Sequence, residues 1–192
     1  MPKKSNTAER IVRATAALLA SRGYAGTGLN DIIARAKAPK GSLYHYFPAG
    51  KPQIASAAIH FVGREVGDFL DQAGGQAPHA RNVLRRFTAT LRGWLEDSQF
   101  AEACPVFSTT LSIDAELAPV HAECRQVLQA WHASIERALL ADGLDAAPAA
   151  SRAWLVLAAL EGAVAIARAE QSLRALIAIE AELQALLPER RT

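Results

Sequence analysis

The chain has 192 residues, 51% of them hydrophobic, with 21 Lys and Arg against 19 Asp and Glu and a formal net charge of +2, enough apolar content for a sizeable core in one domain or a small domain on a larger one. The charge is unevenly placed: nine basic residues up to Lys51 face only Glu9 and Asp31, whereas the remainder carries twelve basic and seventeen acidic residues, so a basic head that meets a polyanion is expected on an acidic body. No run of about 18 uninterrupted apolar residues occurs and the start lacks the pattern of a signal peptide, so no membrane span is expected; Cys104 and Cys124 form no spaced framework, and a reduced cytoplasmic setting is the default.

A first helix is predicted over residues 7–22, capped by Ser5 or Asn6, with Ile11, Ala14, Leu18 and Leu19 as its buried stripe and Gly23 as its end. Thr27 and Gly28 open a short second helix carrying Leu29, Ile32 and Ile33, and residues 35–38 form a turn before Pro39. Pro39 then starts a third helix, at a first position where its missing N–H costs nothing. Two short helices joined by so short a turn form a helix-turn-helix. Pro48-Ala49-Gly50 breaks the chain, and a helix of about 20 residues follows over 51–70, with Ile54, Ala58, Phe61, Val62 and Phe69 buried. After a break at 73–78, helical stretches are expected over 79–97, 105–112, 116–141, 149–169 and 172–187, divided by Pro105, Pro119, Gly143 and Pro148. No strand pattern of useful length and no repeat is visible. The predicted class is all-α.

In the third helix Leu43 and Phe47 lie four apart and bury together. The opposite face carries Gly41, Ser42 and His45, with Tyr44 and Tyr46 at its shoulders and Lys40 near the N-terminus, and it has no carboxylate. Such a helix, about 12 Å long, suits the width of the major groove. The same stripe also fits an amphipathic helix whose tyrosines pack on a neighbour. Lys40 reaches a base edge or phosphate, Gly41 lets the partner approach, and Ser42 is short enough for either contact. Tyr44 and His45 suit phosphates or thymine methyls, Thr27 suits a phosphate at a helix start, and Tyr46 is either a phosphate contact or a packing residue.

The stretch Thr27, Asp31-Ile32-Ile33-Ala34, Ala36-Lys37-Ala38 and Lys40-Gly41-Ser42-Leu43-Tyr44-His45-Tyr46-Phe47 resembles the head of the TetR family of bacterial repressors. Phe47-Pro48-Ala49-Gly50-Lys51, Ala103-Cys104-Pro105-Val106 and Glu161-Gly162-Ala163 with Arg168 look like its LmrA/YxaF-like branch. The resemblance implies a three-helix helix-turn-helix head at residues 1–47 on a helical-bundle ligand-binding and dimerisation body at 48–192. It also implies DNA contacts from Thr27, Lys40, Gly41, Ser42, Tyr44, His45, Tyr46 and Lys51. Lys37 stands where the family usually has glycine, and the segment before Lys51 is one residue longer than the commonest spacing.

In the body, Trp94, Phe100, Phe107, Trp131 and Trp154 are large aromatics that either line a ligand cavity or pack a core, and Trp94, Phe107 and Trp131 are the three to examine first as cavity lining. Glu161 and Arg168 are spaced to lie on one side of their helix, facing solvent, a pocket or a subunit interface. Glu161 joins the three aromatics as a candidate ligand contact. His121 and Cys124 share a helix face but lack the second pair a metal site needs, so no metal and no cofactor is expected. No phosphate loop and no nucleophile–base constellation points to an enzyme; a DNA-independent helical adaptor is the other rival. The expectation is a regulator, most simply a repressor, that binds a palindromic double-stranded operator and is released by a small, largely apolar effector. It is expected to be a homodimer through its last two helices, with Leu176 as a position to test that interface.

Overall fold

The computed structural model describes residues 7–74, 79–114 and 117–188, and every regular element among them is a helix. In chain order these are α1 (Thr7–Arg22), α2 (Leu29–Ala36), α3 (Lys40–Tyr46), α4 (Lys51–Gly74), α5 (Ala80–Asp97), α6 (Pro105–Thr110), α7 (Ala118–Ala141), α8 (Ala146–Glu170) and α9 (Arg174–Leu186). The all-α class holds. The predicted caps Ser5 and Asn6 and most of the predicted break at 73–78 lie outside the described residues. Pro119 and Pro148 do not separate helices: each stands in the first turn of one, where a missing N–H is harmless.

The chain divides into two compact units, Met1–Arg64 with Cys104–Val127, and Glu65–Ala103 with Leu128–Thr192. α4 and α7 each contribute residues to both.

In the first unit, α1, α2, α3 and the start of α4 close around Ile11, Ala14, Leu18, Ile32, Ala36, Leu43, Phe47 and Ile54. Each large aliphatic side chain buried there is worth about 1.5–3 kcal/mol. The helical spacing of these positions is why the sequence folds this way locally. α6 packs on α1 in the same unit. Gly23, left-handed at φ 66°, ends α1, and a Cβ on it would lie 2.6 Å from Ser112 Oγ. Close approach is also needed at Gly63, where a Cβ would stand 2.4 Å from a Val127 methyl carbon.

The second unit is built on α8, whose Ala149, Ala153, Val156, Leu157, Leu160, Ala163, Val164 and Ala167 are buried. It packs against α5 and α9. The Arg81 guanidinium donates to the Leu187 carbonyl from Nε and Nη2 at 3.0 and 2.8 Å. Gln184 Nε2 returns a bond to the Arg81 carbonyl at 2.9 Å, and Arg92 pairs with Glu180. Asp142, just beyond α7, accepts from the Ala80 amide at 2.7 Å and pairs with His79 Nδ1 at 2.7 Å. Those bonds satisfy the start of α5, which has no capping side chain of its own. α8 is long and apolar enough to cross a membrane by length and composition alone, but its buried stripe is the centre of this unit.

Candidate nucleic-acid interface

α2 ends on Lys37, left-handed at φ 49° and ψ 44°. The amides of Lys37 and Ala38 return to the carbonyls of Ala34 and Ile33, each at 3.2 Å, so the turn is closed by helix-terminal bonds and not by side chains. Pro39 is extended at ψ 142° and serves as the N-cap of α3, so the helix begins at Lys40, one residue later than predicted. The Pro39 carbonyl accepts from the Ser42 amide at 3.0 Å. Leu43 is fully buried and Phe47 nearly so. They seat α3 on the core and turn its other side outward.

That outward side contains what the sequence predicts. Lys40, Gly41, Tyr44, His45 and Tyr46 are exposed and Ser42 is half-buried. A Cβ at Gly41 would meet nothing within 4 Å. No internal neighbour therefore demands a glycine there. His45 and Tyr46 meet edge to face with centroids 4.9 Å apart. No carboxylate occurs between Asp31 and Glu65 in the sequence, and Asp31 itself lies 3.7 Å from Arg22.

Two of the predicted contacts are placed differently. Thr27 is 1% exposed; its hydroxyl donates to the Gly23 carbonyl at 2.7 Å and its amide to Tyr24 at 3.1 Å. The hydroxyl expected on a phosphate is therefore spent holding the α1–α2 turn, because the turn places it within reach of the carbonyl four residues back. Lys51 begins α4 with its ammonium 4.2 Å from the Tyr24 ring centroid. Burial lowers its pKa from the ordinary lysine value, and the ring face partly replaces lost water. The additional residue before Lys51 is absorbed by Gly50 at φ 69°, and Gln53 Oε1 accepts from the Ala49 amide at 3.0 Å to fix the turn.

Sequence reasoning missed Ser112. Its hydroxyl accepts the Tyr24 amide at 2.7 Å and donates to the Ser108 carbonyl at 2.6 Å. The end of α6 thus holds the α1–α2 turn, across 88 positions of sequence that carry no local signal of it.

The candidate ligand contacts are divided between the two units. Phe107 belongs to the first unit, and Trp94, Trp131 and Glu161 to the second. Trp131 is buried; Trp94 donates from Nε1 to Glu102 at 3.2 Å; Glu161 and Arg168 are half-buried and each is engaged within the protein. A cavity of about 20 Å³ in the second unit is lined by Leu70, Val83, Phe87, Ile135, Val156 and Leu160 among others, and none of the four candidates reaches it. That volume holds about one water.

On the outer side of α8, Trp154, Leu155 and Ile166 are about half exposed, as are Ile177 and Leu186 on α9. Small residues Ala158, Gly162, Ala165 and Ala169 continue the exposed stripe of α8. His132 stacks on Trp154 with centroids 4.2 Å apart. Leu176, by contrast, is fully buried within the unit, so the interface position expected there is a core position; its neighbour Ile177 is the one that faces out.

Residues 11–58 match the model of bacterial regulatory proteins of the tetR family, and residues 80–182 match that of the LmrA/YxaF-like transcriptional regulator C-terminal domain. The chain is 30% identical over 191 residues to the HTH-type transcriptional regulator Rv0196 of Mycobacterium tuberculosis, covering 95% of this chain and 96% of that protein. It is 30% identical over 164 residues to the HTH-type transcriptional regulator LmrA of Bacillus subtilis, covering 81% and 83%. Among solved structures, a TetR transcriptional regulator from Legionella pneumophila superposes with a TM-score of 0.87 at 19% identity, over 98% of this chain and 100% of that one. The TetR family regulator CifR, solved with 26-bp operator DNA, gives 0.78 at 18% identity over 98% and 100%.

Proposed function

Because the chain belongs to the TetR family of bacterial regulatory proteins, with an LmrA/YxaF-like C-terminal domain, and is a DNA-binding transcriptional regulator rather than an enzyme, we propose that it is a homodimeric cytoplasmic repressor. A small, largely apolar molecule releases it from a palindromic operator. Residues 1–47 read DNA, and 48–192 bind the effector and dimerise. The observation that carries the reading is the outward face of α3: Lys40, Gly41, Ser42, Tyr44, His45 and Tyr46, held out by buried Leu43 and Phe47. Lys51, whose ammonium lies over the Tyr24 ring, and Thr27, through the turn it braces, support this face from outside it.

Dimerisation uses the exposed apolar stripes of α8 and α9, which pair about a two-fold axis. Two heads then meet half-sites about 34–36 Å apart. The effector enters the apolar cavity of the second unit by parting its lining, since the space present takes no more than a water. With apolar walls throughout, the ligand is recognised by shape and burial. Trp94, Phe107, Trp131 and Glu161, which are not part of its lining, stay as secondary candidates. Release requires only that the ligand prefer the DNA-incompetent conformation; a coupling of about 1–3 kcal/mol lowers operator affinity roughly 5- to 150-fold.

The test is fluorescence anisotropy with the DNA flanking the protein's own coding sequence. Lys40→Ala and Tyr44→Ala are each expected to weaken specific binding by about 1–3 kcal/mol. Wild-type affinity should fall steeply with salt. Unchanged affinity and salt slope in both variants would remove α3 as the reader. A screen of apolar compounds for operator release, followed by tryptophan fluorescence, tests the effector; no release by any of them leaves a constitutive repressor.

A further inference from the structure

The turn that joins α2 to α3 carries a lysine in a conformation that favours glycine. Lys37 has φ 49° and ψ 44°, where a Cβ crowds the following carbonyl and glycine is the usual helix-ending residue. The two helix-terminal backbone bonds close the turn, and no side-chain contact adds to them among the described residues. The side chain is exposed and has no hydrogen bond, ion pair or ring contact among the described residues. Backbone strain alone does not mark a function, because Gln171 ends α8 with the same φ and ψ. Lys37 differs in its charge and its place.

It stands three residues before Lys40, so its Cα is at most about 11 Å from that of Lys40. In a helix-turn-helix the N-terminal end of the second helix enters the major groove, which is about 12 Å wide between its phosphate walls. A lysine on a flexible four-carbon stem at that end reaches a wall, not the floor. Its nearest charged neighbours in sequence are of one sign: Arg35 and Lys40 flank it, Asp31 before them lies 3.7 Å from Arg22, and no carboxylate follows until Glu65. We propose that Lys37 is a phosphate-binding residue of the DNA interface, a point charge carried at a left-handed turn position beside the entry of α3 into the groove. The proposal rests on α3 being the reading helix. It adds a contact that the outward face of Lys40–Tyr46 does not contain.

Lys37→Gly separates the two consequences of the residue, since it relieves the backbone and removes the charge. Its melting temperature is expected to rise by about 1–4 °C, while operator affinity falls. The slope of log K against log salt should become shallower by about 0.9, the signature of one lost phosphate contact. That loss should be the same on operator and on unrelated duplex DNA, because a phosphate contact carries no base information. Lys37→Arg should retain the wild-type slope. Gln171→Gly should gain comparable thermal stability and bind as wild type. If Lys37→Gly keeps the wild-type affinity and slope while Lys40→Ala loses affinity, Lys37 is a solvated surface lysine and the proposal is overturned. A loss confined to operator DNA with an unchanged slope overturns it too. If Lys40→Ala also binds as wild type, the reading of α3 fails, and Lys37 falls with it.

Discussion

Ser112→Ala should loosen the α1–α2 turn without touching the outward face of α3. The Tyr24 amide donates to Ser112 Oγ at 2.7 Å, and the preceding Gly23 amide is already bonded to Leu19 at 2.9 Å. Tyr24 is 8% exposed, so removing the acceptor leaves a mostly buried N–H with nothing to donate to. An unmatched buried amide costs about 1–3 kcal/mol; with Ser112 only half-buried, water recovers some of this and about 1–2 kcal/mol is expected. For a chain of this size that is a drop of roughly 2–8 °C in melting temperature. Alanine keeps the Cβ that already sits against Gly23, so the change is chemical and not steric. Thr90→Ala is the control, since its hydroxyl makes a helix back-bond to Arg86 at 3.1 Å on an exposed surface, worth little by comparison. Urea unfolding gives the energy, and hydrogen exchange at the Tyr24 amide gives the location. If Ser112→Ala keeps its Tyr24 protection and unfolds at the Thr90→Ala midpoint, the end of α6 does not hold the turn.

Leu155→Glu and Ile177→Glu, on the outer stripes of α8 and α9, should each shift the protein to monomer in light scattering with its helix content retained; a persistent dimer places the interface elsewhere. Leu176→Glu should instead unfold the chain, because it puts a charge in the core. Gly63→Ala should destabilise by about 1–3 kcal/mol through overpacking against Val127, and Val127→Ala should recover much of that loss; additive effects in the double variant would show the contact to be slack. Burial raises the Cys124 thiol pKa, and Cys104 is buried as well, so both should resist iodoacetamide at neutral pH and label only in denaturant. Fast labelling of the native protein would refute that.

The head is legible from sequence because its two sides differ in polarity. Ile11, Leu18, Ile32, Leu43 and Phe47 recur at helical spacing among polar neighbours, and each periodic position proved to be core. Turn chemistry is less legible. A threonine before a helix reads the same whether its hydroxyl faces a phosphate or folds back on the carbonyl four residues earlier, as Thr27 does. The bond from Tyr24 to Ser112 links segments whose local patterns are complete without each other. α8 shows the deeper limit. Its buried stripe through Ala153, Leu157, Leu160 and Val164 and its exposed stripe through Trp154, Leu155 and Ile166 are both apolar. Periodicity can assign sides only where burial and polarity run together. A helix that is apolar on both its buried and its exposed side removes that contrast. The same apolar excess that hides the core face of α8 from the sequence is the physical reason to expect a partner on its outer face.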